Sequence, residues 1–221
     1  MSLDAPVIRG TDLVDLLDRR PVLDTELVFE GVVWDVRRDV VDLGDAGEVS
    51  REYVDHPGAV GVVALREVEG RDQVLLIHQY RHPVGSFEWE LPAGLLDVKG
   101  EEPWLGAARE LHEEADLSAG RWDVLIDFYG SPGGLSEALR IFLARDLIDI
   151  HHLERFTREG EEHAMPVGWV DLDEAHEAVL RGQLHNPGAV IGILTAHAAR
   201  ARDWATLRPH DAPWPEHPAY R

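Results

Sequence analysis

One stretch constrains this chain more than any other: ELPAGLLDVKGEEPWLGAARELHEEADL, from Glu90 to Leu117. A strand-like run, SFEWELPAG, is stopped by Pro92 and Gly94, and a helix follows with Pro103 in its first turn. Trp104, Ala108, Leu111 and Ala115 form an apolar stripe at helical spacing, so the helix is expected to bury one side. At roughly 100° per residue, Glu114 falls about 40° and Glu113 about 300° round from Glu110, a fan of carboxylates beside the stripe. Arg109 stands four residues before Glu113, where it can orient that carboxylate. Taken alone, an acidic patch on an amphipathic helix is most often a solvated face. The other reading is a site for a hard dication, which takes oxygen ligands and keeps waters and substrate phosphates as the rest. HEEAD carries Asp116 where a zinc-protease helix needs a second histidine, and there is no P-loop, nucleophile elbow or Rossmann glycine pattern.

The flanking pattern is strand-rich. Glu26–Leu43 alternates well enough for one or two strands, and GDAG makes a turn before EVSREYVDH. GAVGVVALREV, DQVLLIHQYR, WDVLIDFYG and EALRIFLARDL read as further strands, SPGG as a turn, and VGWVDL as a last strand. HHLERFTREGEEHAMP has no period and reads as an excursion loop. DEAHEAVLRGQL and GAVIGILTAHAARARDWATL are helices, the first capped by Asp171 or Asp173. This order implies an α/β (α+β) fold, a mixed sheet packed between helices. Residues 1–55 form a strand-rich extension, 56–205 the main domain, and 206–221 an extended Pro-rich tail.

The formal net charge of -21 argues against nucleic acid or an anionic membrane as partner, since phosphate backbones need basic patches. Lys99 is the only lysine; arginine supplies the other strong cations, a bias that suits bidentate anion contacts and that genome base composition explains as well. The absence of cysteine excludes disulfides and thiolate metal sites. No basic-then-apolar leader opens the sequence, and the most apolar run, Ala59–Leu65, is far too short to span a bilayer. A cytoplasmic protein is the expectation.

Gly94, then Glu101, then seven residues to RELHEE (Arg109–Glu114), closed by Leu117, resembles the Nudix box. Two departures stand out: six residues rather than five separate Gly94 from Glu101, and Asp116 replaces the glycine that leaves the helix. Asp tolerates the left-handed backbone common there, at a cost on the order of 1 kcal/mol. QYRHPVGSFEWELPAG, REYVDH, SPGG with Glu137, GEEHAMPVGW and LRGQLHNPGAVIGIL are similar to the ADP-ribose pyrophosphatase branch, actinobacterial in character.

The resemblance implies an α/β/α sandwich, a homodimer whose N-terminal strands cross to the partner, and hydrolysis of ADP-ribose to AMP and ribose 5-phosphate. It implies Mg²⁺, or Mn²⁺, held by Glu110 and Glu114 with Glu113 as third or bridging carboxylate, and by the Ala93 carbonyl. Glu101 supports the box more than it ligates. The base corresponds to Glu162, with Glu161 as alternative; Arg81 and Arg51 are substrate contacts for phosphate or adenine, and Trp34 either stacks an adenine from the partner subunit or packs in the core. Gly94 and Pro132 shape loops. The open alternatives are another nucleoside diphosphate derivative as substrate (nucleotide sugar, NADH, dinucleotide), and a ligand-sensing domain without turnover.

Overall fold

The computed structural model describes residues 5–151 and 165–220, together with Leu3 and Phe156. Three antiparallel strands, β1 (Val22–Phe29), β2 (Asp35–Asp42) and β3 (Glu48–Asp55), make an N-terminal sheet in that order. The alternating stretch is thus two strands, knitted by Arg38 to Glu26 at 2.8 Å and to Glu52 at 2.6 Å, with Arg37 to Asp55 at 2.6 Å.

β4 (Ala59–Val68) follows at once and explains its own composition. Its first half is apolar without alternation because both faces are covered. Val60, Val62 and Ala64 pack in one layer with Leu111 and Phe142; Val63 and Leu65 pack in the other with Leu143, Leu172 and Ile193. The elements behind these layers are β5 (Arg71–Arg81), β6 (Ser86–Glu90), β7 (Ala93–Leu95), α1 (Pro103–Ala115), β8 (Leu117–Tyr129), β9 (Ala138–Asp149), β10 (Val167–Asp171), α2 (Leu172–Leu180), α3 (Pro187–Arg200) and β11 (Arg208–Pro209). The sheet runs β10-β5-β4-β9-β8-β11, with β6 added to β5 and β7 to β4. It is mixed: β4 and β9 are parallel from Ala59↔Leu139 to Ala64↔Ala144, and the remaining pairs are antiparallel. With α1 on one face and α2–α3 on the other, this is the α/β/α sandwich expected.

Local readings change at α1, α3 and the C-terminal segment, and the choice of cap for α2 is settled. The most buried residues of α1 are Pro103, Gly106, Ala107, Leu111 and Glu114; Trp104 and Ala115 of the expected stripe pack against the same core at its edge. A carboxylate at position 114 occupies a place that periodicity reserves for an apolar side chain. Asp171, not Asp173, caps α2, accepting from the N–H groups of Asp173 and Glu174. α3 stops at Arg200, beyond which Asp203 and Trp204 take positive φ. The last residues do not trail away either: Trp214 is buried at 1% exposure, and β11 pairs with β8. Among the described residues no helix is long and apolar enough to cross a membrane.

Candidate active site

β7 is short because it must pass under α1. Its partners on β4 are Gly61 for Ala93 and Val60 for Gly94. Directly above, the Glu114 carboxylate is 5% exposed and accepts the Ala93 N–H at 2.8 Å. Glu110 presses on Gly94: a Cβ there would lie 2.1 Å from that carboxylate, so any larger residue would have to push the Glu110 side chain aside. Asp116 ends α1 in the left-handed region (φ 54°, ψ 35°), as expected of the residue replacing glycine.

Arg109 binds the cluster together. It donates to Glu110 at 2.5 Å and to Glu101 at 3.2 and 3.3 Å, and lies 3.7 Å from Glu113. Bonds to Glu101 and the charges of Glu101 and Glu110, opposed by burial, raise its pKa, so it stays charged throughout. It supplies the counter-charge that lets the carboxylates sit together here. Glu101 faces Arg109 and the first turn of α1, where its Oε2 stands 3.1 Å from the position a Cβ on Gly106 would take. Among the described residues no three His, Cys, Asp or Glu groups close around one point. The donor set at the box is nonetheless all oxygen, and the missing side chain at Gly94 lets the Glu110 carboxylate come down beside that of Glu114 on the 93–94 backbone. These residues fit a hard dication.

Ala93 and Gly94 also floor a cleft of about 400 Å³. Arg81 and Trp34 line it. Arg81 donates to Glu90 at 2.8 and 2.7 Å, and Glu90 is 3% exposed; those bonds, with the charges of Glu90, Glu114 and Glu88, raise the arginine's pKa. Its other terminal nitrogen has no hydrogen bond among the described residues. Arg51 is not brought to this cleft: it is exposed on β3 opposite Asp39 and donates to the Ser50 carbonyl at 2.9 Å. Pro132 lies in the turn closed by Gly134 and Leu135 N–H on the Ser131 carbonyl. Glu161 and Glu162 lie outside the described residues.

Sequence reasoning missed four wall residues. His56 takes the Gly58 N–H on Nδ1 at 3.1 Å, which leaves the proton on Nε2, 3.4 Å from Glu137 Oε1. Burial lowers the His56 pKa and raises that of Glu137. Trp34 tilts over His56 with ring centroids 5.2 Å apart. Glu90 anchors Arg81. Asn186, cap of α3, brings the positive end of a helix to the cleft through an Asn-Pro pair that was legible as a helix start. A lone histidine in VDHPG carries no such signal.

The family model described as the NUDIX domain matches residues 55–189. The ADP-ribose pyrophosphatase of Mycobacterium tuberculosis is 40% identical over 196 residues, covering 89% of this chain and 91% of its own. That of Bacillus subtilis is 37% identical over 168 residues, 76% of this chain and 87% of its own. A methanol dehydrogenase activator of Bacillus methanolicus is 32% identical over 171 residues, 77% of this chain and 89% of its own. A crystal structure of an ADP compounds hydrolase superposes with a TM-score of 0.67 over 86% of this chain and 98% of that one, at 20% identity, a likeness of fold.

Proposed function

The chain belongs to the NUDIX domain family, and on that premise we propose that it hydrolyses the diphosphate of ADP-ribose to AMP and ribose 5-phosphate. The observation that carries the reading is the contact between cleft and box. The floor of the cleft is the same Ala93–Gly94 peptide on which Glu114 and Glu110 rest.

In the reaction a water oxygen bonds to one phosphorus, the bridging P–O bond breaks, and the departing phosphate keeps the electron pair. A divalent ion, Mg²⁺ with Mn²⁺ as alternative, would be held by Glu110, Glu113, Glu114 and the Ala93 carbonyl, and would neutralise the diphosphate and lower the pKa of the attacking water. Arg109, through its contacts to Glu101, Glu110 and Glu113, fixes the rotamers of the box carboxylates before any ligand arrives. Arg81, steadied by Glu90, offers its remaining nitrogen to a phosphate oxygen. Trp34 offers a ring face to adenine. The proton of the attacking water goes to Glu162, with Glu161 as the alternative. Arg51 serves only if a second subunit's cleft receives it.

We assign a homodimer, supported by the exposed apolar N-terminal sheet, and the cytoplasm, where a free nucleotide would be met. The test is turnover of ADP-ribose, nucleotide sugars, dinucleotides and NADH, with Mg²⁺ and with EDTA. Preferred cleavage of ADP-ribose, lost in EDTA, is expected. Preference for another diphosphate overturns the substrate, and binding without turnover in Mg²⁺ overturns the hydrolase.

A further inference from the structure

The segment 206–220 is stapled to the domain at successive points, and the last of them is the box itself. Arg208 donates to Asp127 at 2.8 Å. Arg140, 1% exposed on β9, holds Asp127 at 2.7 and 3.0 Å and donates to the carbonyls of Ala212 at 2.8 Å and Pro213 at 3.1 Å. Its guanidinium lies 4.6 Å from the centre of the Trp214 ring. A charge buried at that depth needs acceptors, and the segment supplies two of them. His217 then takes the Ala219 N–H on Nδ1 at 3.1 Å and donates from Nε2 to the Pro57 carbonyl at 2.8 Å. The next residue, Gly58, accepts from Leu96 N–H at 3.1 Å. Finally the Tyr220 hydroxyl donates to the Glu101 carbonyl at 3.1 Å, and His210 meets Trp104 edge-on with ring centroids 5.0 Å apart.

The segment therefore holds the loop 96–102 that joins β7 to α1 directly at Glu101, and at Leu96 through the Pro57–Gly58 backbone. We propose that it is a strap that positions the acidic box, and that Tyr220 is a positioning residue acting through Glu101. Holding the Glu101 backbone fixes where its carboxylate meets Arg109, and Arg109 in turn sets Glu110 and Glu113. This rests on the reading of the box as a dication site.

The test compares Tyr220→Phe, which removes only the hydroxyl, with the wild-type full chain. Mn²⁺ affinity without substrate, amide exchange and steady-state kinetics are the readouts. Loss of one hydrogen bond predicts Mn²⁺ binding weakened about 3- to 10-fold. Exchange should accelerate within 96–102 but not in β8 and β9. The rate should fall at low Mn²⁺ and recover at saturation, with KM for the nucleotide unchanged. Equal Mn²⁺ affinity, no Mn²⁺ binding in either protein, or acceleration spread through β8 and β9, overturns the strap. A wild type that binds Mn²⁺ yet cleaves no diphosphate removes the hydrolase reading alone.

Discussion

At Gly94 the missing side chain is a positive requirement, because Glu110 fills the volume a methyl group would need. Gly94→Ala should leave the fold intact, since the atoms it meets are the end of a flexible side chain that can swing away. The swing removes Glu110 from its place, and a misplacement of about 1 Å costs on the order of 100-fold in rate. Turnover in Mg²⁺ beside a melting curve checks this, and an undiminished rate would detach Glu110 from the chemistry. Glu137 carries a different residue-level conflict. Burial raises its folded pKa, so ionising it opposes folding above that pKa and costs nothing below the unfolded carboxylate range. Glu137→Gln should therefore raise Tm at pH 8 and leave it unchanged near pH 4. A Tm difference that is the same at both pH values would mean that the gain has nothing to do with charge.

At the scale of the element, α1 shows what the sequence could and could not reveal. Its start at Pro103 and its end at Asp116 were legible, since proline suits a first turn and aspartate tolerates the left-handed exit. Its buried face was only partly read: Leu111, Trp104 and Ala115 do meet the core, but Glu114 was missed because a glutamate does not announce a buried position. A buried carboxylate in place of an apolar side chain is the kind of break in local pattern that accompanies a site. The strands were legible for the opposite reason: β4 and β5 are continuous apolar runs, as strands covered on both faces must be. That His56, Glu90 and Glu137 share one cleft was not legible, because only sheet closure brings the β3–β4 turn, β6 and the turn after Ser131 together. The buried carboxylate predicts a trade-off. Glu114→Gln keeps an acceptor for the Ala93 N–H, so circular dichroism and Tm should stay near wild type while turnover falls by at least ~100-fold. Retained turnover would make the buried carboxylate merely structural.

For the whole molecule, the question is what covers the N-terminal sheet. β1 is exposed along its entire length, with Val22 at 54%, Leu27 at 48% and Phe29 at 62%, and Val33 continues the apolar surface beyond it. A patch of that kind marks an interaction surface, and our homodimer assigns it to a second copy. Two chains of formal charge -21 repel, so the attraction must come from apolar burial. The sign of the salt effect then separates the alternatives. Added salt screens the repulsion and leaves burial in place, so dissociation should weaken as ionic strength rises from about 0.05 to 0.5 M. An interface held by ion pairs such as those of Arg38 would respond in the other direction. Replacing Leu27 and Phe29 together with aspartate should give monomers by sedimentation velocity. It should also depress turnover, because Trp34, on the β1–β2 connection, forms part of the cleft wall. A double variant that still sediments as a dimer would move the interface off this sheet, and one that is monomeric with full activity would uncouple the cleft from assembly.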